Sequence, residues 1–237
     1  MTVRCRAPVN FASVGPTAGL ELADVVCLLG RFPALSGLTM SVAAGEIVGV
    51  EGPNGAGKTT FIRACAGLQP ITAGSATVCG IDVRRNPRAV RRSVGYLGHR
   101  SLLYDDLTVE DNVRFAVQAN RGDAGAVRSA LRSVGIDHRV AGLALHACSA
   151  GQRRRTALAA VVARNPDLWL LDEPYAGLDA ESSEMLDSLL SSAADAGAAV
   201  VVVSHDHAHV QRFATRVVTI AGGHAVDPGP RASGSRS

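Results

Sequence analysis

The chain reads as an α/β protein: a mainly parallel, doubly wound sheet, an antiparallel β part at the N-terminal end, and a helical block inserted midway. Three observations predict this. An apolar run at 47–50 ends in a glycine-rich loop that opens directly into a helix over 59–67. From Ser149 onward, helices and strands alternate, and the strands are continuously apolar, as parallel strands covered on both faces must be. Between these two regions, from about 101 to 146, the chain carries only helical signals. A length of 237 residues suits one domain with a subdomain and a large core.

Taken in order, 1–19 holds two arginines and no apolar block of signal-peptide type, and is expected to be a disordered lead. Segments 20–29 and 38–42 read as strands leading into 47–50. Segments 75–79 and 81–83, split by Gly80, read as a further pair, followed by a short helix at 87–92 and a strand at 94–97. Helices are expected at 109–120 behind a Thr108 cap, at 124–134 and at 139–144, giving a helical subdomain of about 101–148. The core resumes with helix 152–164, strand 168–171, helix 180–196, strand 198–203 and a last strand at 217–220. The tail, 224–237, is rich in Pro, Gly, Ser and Arg and is expected to be disordered.

The bulk numbers exclude more than they assign. A net charge of +3 makes no case for nucleic acid. No apolar run reaches the ~18–20 residues needed to span a bilayer. Five cysteines without a C-x-x-C pair fit reduced thiols in a cytosolic protein better than a disulfide frame or a zinc site.

Among 24 basic residues, Lys58 is the only lysine. It lies in Gly52-Pro53-Asn54-Gly55-Ala56-Gly57-Lys58-Thr59-Thr60, which fits the phosphate-loop pattern G-x-x-x-x-G-K-[ST] at every position. Such a loop wraps its backbone N–H groups around phosphate oxygens and needs a compact ammonium, where a planar guanidinium would displace it. The helix that follows turns its positive dipole end to the same anion. Thr59 would offer a hydroxyl to Mg²⁺.

The second signal is 168–174, an apolar strand ending in Asp172-Glu173-Pro174. Carboxylates at the carboxyl edge of such a sheet stand where ligands bind. Asp172 could hold Mg²⁺, and Glu173 could polarise the water that attacks a γ-phosphate, so the pair with Lys58 points to nucleoside triphosphate hydrolysis. His205 follows another apolar strand. With His207 and His209 it alternates in a way that raises a zinc site, but no further ligand cluster is evident, and residues solvated at a helix start explain those two. Ser149-Ala150-Gly151-Gln152 fits an S-x-x-Q capping box, which opens a helix with free N–H groups and makes a second anion site. Arg153-Arg154-Arg155 reads as a basic first helical turn.

Together these residues resemble the ATP-binding subunit of ATP-binding cassette (ABC) transporters, a phosphate-loop NTPase fold. The resemblance covers 20–223. Cys148 to Gln152 resembles the family's L-S-G-G-Q signature, Ala176-Gly177-Leu178-Asp179 its D-loop, and 201–206 its switch-histidine strand. The resemblance implies ATP and Mg²⁺ as ligands and head-to-tail pairing with a second ATP-binding subunit, identical or different. Ser149, Gly151, Gln152 and Asp179 would then complete the partner's nucleotide site. It further implies Glu173, His205 and Lys58 as catalytic residues, integral membrane subunits as partners, and a peripheral place on the cytoplasmic face of the cell membrane. Nucleic acid is not among the implied partners.

The chain departs from the pattern at several points. His99, after Gly98, takes the place of the Q-loop glutamine that helps sense Mg²⁺. Cys148 and Ala150 replace a leucine and a glycine of the signature. Leu29 stands where relatives stack an aromatic on adenine, with Phe32 close by. The combination of Gly98-His99 with Ser149-Ala150-Gly151-Gln152-Arg153-Arg154 looks like the haem-exporter ATP-binding subunit of cytochrome c maturation. The stretch 103–112 also occurs in drug- and polysaccharide-exporting relatives. A soluble ABC ATPase of chromosomes would need long coiled coils that an insert of under ~60 residues leaves no room for. Translation types carry two cassettes per chain. A non-hydrolysing regulator is opposed by intact Lys58, Asp172, Glu173 and His205.

Overall fold

The computed structural model describes residues 19–99 and 102–226. The lead expected over 1–19 lies outside the described residues except for Gly19, whose carbonyl accepts the Cys79 N–H at 3.1 Å. In chain order the elements are β1 (Leu20–Leu29), β2 (Phe32–Val42), β3 (Ile47–Glu51), α1 (Lys58–Cys65), β4 (Ala73–Val78), β5 (Ile81–Asp82), α2 (Pro87–Ser93), β6 (Val94–Leu97) and α3 (Val109–Ala119). There follow α4 (Ala126–Ser133), α5 (His138–Ala141), a 3₁₀ turn at Leu145–Ala147, α6 (Ala150–Arg164), β7 (Leu168–Asp172), α7 (Ala180–Asp195), β8 (Ala199–Val203), α8 (His207–Phe213), β9 (Arg216–Ala221) and β10 (His224–Val226).

Two sheets result. A four-stranded antiparallel sheet runs β2-β1-β4-β5, and a six-stranded sheet runs β10-β9-β3-β8-β7-β6, parallel except for β10. The apolar strands of the second sheet serve two cores by strict alternation. Val48, Val50, Leu168, Leu170, Val201 and Val203 face α1 and the antiparallel sheet. Trp169, Leu171, Val200 and Val202 face α6, α7 and the helical insert. Continuous hydrophobicity at strand period is therefore what two-sided burial demands.

Each core helix carries its burial in its spacing. Helix α7 buries Leu186, Leu189, Leu190, Ala193 and Ala194, the i, i+3, i+4, i+7, i+8 stripe of a one-faced helix. Helix α6 is buried at every position from Thr156 to Ala163, because it lies between the sheet and α3 and α4. Its run of alanines permits that close approach on all sides. The Thr108 cap forms as expected, accepting the Asp111 N–H at 3.0 Å.

Several boundaries differ from the sequence reading. Strand β2 begins at Phe32 rather than 38. Pro33 and Gly37 hide it, and both are tolerated because β2 is the edge of its sheet. The helix expected at 139–144 stops at Ala141, and α6 begins at Ala150 rather than 152, since Ser149 is its cap. Of the tail expected over 224–237, His224–Val226 form β10, paired with β9, and 227–237 lie outside the described residues. Cys27, Cys65, Cys79 and Cys148 are free. Burial pushes the Cys27 thiol up to about 11 and, helped by Asp167, the Cys79 thiol up to about 12, so both are neutral thiols at physiological pH.

Candidate functional site

The parallel register places the chemistry. Val50 pairs with Val203, Asp172 with Val203, and Leu97 with Leu171. The four strands end level, so the phosphate loop, Glu173, His205 and His99 emerge from one carboxyl edge. There they line a cleft of about 380 Å³ together with Lys58, Thr59 and Asp172.

The loop geometry depends on glycine at two positions. Gly52 has φ +141°, and a Cβ there would stand 2.0 Å from the Ile220 carbonyl oxygen. Gly57 has φ +104° and would strike the Ala34 carbonyl at 2.3 Å. Gly52→Ala is expected to lose about 3 kcal/mol of stability, because that φ is open to glycine almost alone and the clash is with backbone. Gly55→Ala, at φ +79° with open space around it, should lose about 1 kcal/mol. Urea unfolding midpoints of the two variants check the difference.

Gly57 leaves the start of α1 without a side-chain cap, so the first-turn N–H groups are free for an anion. The loop is tied inward by the Ala56 N–H to the Pro53 carbonyl at 3.2 Å and the Gly223 N–H to the Ala56 carbonyl at 3.1 Å. The Lys58 ammonium is buried and donates to the Gly52 and Pro53 carbonyls at 2.6 and 2.9 Å. Thr60 is buried behind it, and Asn54 and Gly55 lie on the open lip. The Thr59 hydroxyl is 3.2 Å from the Asp172 carboxylate. Two hard oxygen donors at that spacing, beside an anion cradle, fit a magnesium ion held with phosphate oxygens.

Glu173 adopts φ +49°, left-handed for a residue with a side chain. Its N–H is held by the Val203 carbonyl at 2.8 Å. One carboxylate oxygen accepts the His205 N–H at 3.3 Å. The other, Oε1, is buried, has no hydrogen bond, and lies 3.4 Å from His205 Nε2. A carboxylate oxygen without a hydrogen bond, on a residue that lines the cleft, is the group a water would need. The His205 ring is 55% exposed and free to turn toward a ligand. His99 is exposed and lines the same cleft, where its nitrogen is a poorer donor for a hard cation than the oxygens of Thr59 and Asp172. Leu29, not Phe32, lines the cleft, and Phe32 is 80% exposed.

The signature residues lie elsewhere. None of Ser149, Ala150, Gly151, Gln152 or Asp179 lines this cleft. Ser149 and Gln152 form a full capping box, at 3.2 and 2.8 Å, on an exposed turn. A side chain at Gly151 would meet the Gly177 carbonyl of the neighbouring loop at 3.4 Å, and Asp179 of that loop caps α7 through the Ser182 N–H at 2.8 Å. Hydrogen bonds from Ser182 hold the Asp179 carboxyl below the usual range. The helix start and the D-loop thus form one outward-facing patch.

Sequence reasoning missed two features. The run Arg153–Arg155 is a basic turn near the start of α6, as read, but its guanidiniums are spent on the protein itself. Arg153 pairs with Asp105 and donates to the Leu145 carbonyl at 3.0 Å, and Arg155 donates to the Gly135 carbonyl at 3.3 Å. Arg154 turns inward and spends its donors on four carbonyls, those of Gly98 (2.8 Å), Asp172 (2.9 Å), Glu173 (2.6 Å) and Pro174 (3.4 Å). His209, expected to be solvated, is largely buried: Nε2 meets Asp187 at 3.0 Å and Arg212 meets Nδ1 at 2.8 Å. Tyr175 donates to the same Asp187 oxygen at 2.7 Å and packs at a tilt against the His209 ring, 4.3 Å between centroids. Burial and that bond push the Tyr175 hydroxyl well above its usual pKa. This ring cluster joins the segment after Glu173 to α7 and α8, and directs His209 away from His205. The tyrosine two residues beyond Glu173 was a signal that could have found it.

A second hollow, about 170 Å³, runs from Gly98 along α3 and α6. Its rim carries three exposed apolar side chains, Leu102, Tyr104 and Phe115, the last two edge to face at 5.1 Å. Buried Asn112 shapes the rim by bonding both the Tyr104 N–H (2.7 Å) and its carbonyl (3.0 Å). Among the described residues no helix is long and apolar enough to cross a membrane.

A family model described as ABC transporter matches residues 35–176. A cytochrome c biogenesis ATP-binding export protein, CcmA 2, of Cupriavidus metallidurans is 35% identical over 86% of this chain and 98% of its own length. A methionine import ATP-binding protein, MetN, of Caulobacter vibrioides is 36% identical over 84% of this chain, which spans 63% of that longer protein. Among solved structures, a dimeric post-hydrolysis ATP-binding cassette bound to ADP and phosphate superposes with a TM-score of 0.78 at 26% identity, covering 87% of this chain and 96% of that one.

Proposed function

The chain belongs to the ABC transporter family as an ATP-hydrolysing subunit, and on that footing we propose that it powers an export-type transporter that moves haem for cytochrome c maturation. The observation that carries the cargo reading is the pairing of Gly98-His99 with the Ser149-to-Arg154 signature variant, supported by relatives named for cytochrome c biogenesis.

In this reading the loop amides of 52–60 and the α1 dipole bind the β- and γ-phosphates, and Lys58 leaves the Gly52 and Pro53 carbonyls to neutralise the γ-phosphate. Magnesium, held by Thr59 and Asp172, supplies further charge neutralisation on the phosphates when bound. Glu173 Oε1 accepts a hydrogen bond from the attacking water, and His205 holds both that carboxylate and the γ-phosphate edge. His99 acts through water at the cleft mouth. Ser149, Gly151, Gln152 and Asp179 reach the nucleotide of a second subunit across the dimer, since they face away from their own cleft. In this reading the apolar hollow rimmed by Leu102, Tyr104 and Phe115 receives a cytoplasmic helix of the membrane subunits, and the chain sits peripherally on the cytoplasmic face of the membrane.

The test is replacement of the native gene by one encoding Glu173→Gln. The expected result is loss of covalently bound haem from c-type cytochromes, with integral membrane subunits co-purifying with the tagged chain. Normal cytochromes with a co-purified membrane partner would transfer the cargo to a drug- or polysaccharide-type exporter or to an importer. Normal cytochromes with no membrane partner would remove transport altogether.

A further inference from the structure

A buried arginine ordinarily pairs with a carboxylate, because an unpaired charge away from water is expensive. Arg154 does not. It is 9% exposed, and the contacts of its guanidinium are backbone carbonyls from two strand ends: Gly98 after β6, and Asp172, Glu173 and Pro174 at the end of β7. One nitrogen, Nη2, reaches the carbonyls on both sides of the Glu173 peptide unit. The other, Nη1, reaches the carbonyl next to His99.

Those carbonyls are where the backbone most needs holding. Glu173 stands at φ +49°, a conformation that costs a side-chain-bearing residue about 1–2 kcal/mol. Its N–H is fixed by Val203 and its carboxylate by the His205 N–H. Arg154 supplies the third restraint, on the carbonyl side. Burial lowers the arginine pKa, and the Asp172 and Glu173 carboxylates oppose that. A planar fork with fixed N–H directions can span both strand ends at once, whereas an ammonium offers one centre.

We propose that Arg154 is a positioning residue for ATP hydrolysis: it locks the Glu173 backbone in its left-handed conformation and ties it to the Gly98–His99 loop, so that Glu173 Oε1 is aimed at the attacking water. It touches neither nucleotide nor water itself. The inference rests on the reading of Glu173 as the residue that activates water. It is distinct from the role of Ser149, at the start of the same helix, toward a partner's nucleotide.

The experiment compares wild type, Arg154→Gln, Arg154→Lys and Glu173→Gln as full-length chains, measuring kcat, KM, equilibrium binding of a fluorescent ATP analogue, and the thermal midpoint. Arg154→Gln is expected to lower kcat by at least about tenfold while the analogue's Kd stays within about twofold, since a small misplacement of a reacting group acts on turnover and not on binding. Arg154→Lys should recover part of that loss. If the Gln variant does not fold, the Lys variant is judged alone, with an expected kcat about threefold to tenfold below wild type at unchanged Kd. Turnover near wild type in the folded variants, beside an inactive Glu173→Gln, overturns the positioning role only. A joint fall of kcat and binding in step with the folded fraction also overturns it, since that is a merely structural role. Normal turnover in Glu173→Gln overturns the reading of Glu173 and the inference with it.

Discussion

Glu173→Gln is expected to reduce ATP turnover by about 10²–10⁴-fold, the range for removal of a positioned general base, while ATP still binds. The substitution is isosteric. The amide oxygen can still accept the His205 N–H now at 3.3 Å from Glu173 Oε2, and the Val203 carbonyl still holds the backbone N–H at 2.8 Å. What is lost is the basicity of Oε1, the buried oxygen that makes no hydrogen bond. Because the phosphate loop, Thr59 and Asp172 are untouched, the variant should accumulate with ATP bound. Signature patches held against such trapped nucleotides should give an ATP-dependent dimer on size exclusion. Phosphate release, ATP binding and elution volume together check this. Normal turnover by a variant that binds ATP would remove Glu173 from the mechanism.

The second large effect concerns binding. Lys58→Ala should weaken ATP binding about a hundredfold, from about 2–3 kcal/mol for a charge-assisted hydrogen bond lost in a buried setting. Lys58 is 7% exposed, and its ammonium donates to the Gly52 and Pro53 carbonyls. Removing it leaves both oxygens lining the phosphate cradle without their donor, so the loop repels the anion it is shaped for. Lys58→Arg should fail to restore affinity, because the guanidinium plane does not fit between those carbonyls and a phosphate. Isothermal titration with ATP decides the matter. Affinity retained in Lys58→Arg would mean the loop accepts a broader cation than its geometry implies.

The phosphate loop was legible because its determinants are local. The apolar strand, the glycines and the lysine lie within 47–60, and each acts on its immediate neighbours in sequence. The same holds for the Ser149–Gln152 capping box and the Thr108 cap, which close over three residues. Strand β2 was truncated in the reading because Pro33 and Gly37 break a strand unless it is an edge, and edge position is a property of the whole sheet. The short β10 carries too little pattern by itself and exists because β9 pairs with it.

The sequence alone determined the fold class, the family and the order of the loop, the carboxylate pair and the switch histidine, because periodicity and turn chemistry are written along the chain. Only the tertiary structure decided which arginine of three faces inward, and that His209 belongs to Asp187 and Tyr175 rather than beside His205. Successive helical residues point about 100° apart, so three adjacent arginines meet three different surroundings. The packing of α6 against β6 sends Arg154 alone to the strand ends. Likewise, Lys58, His99, Asp172, Glu173 and His205 meet in one cleft only because parallel pairing sets four strand ends level, and that register is fixed by contacts distant in sequence.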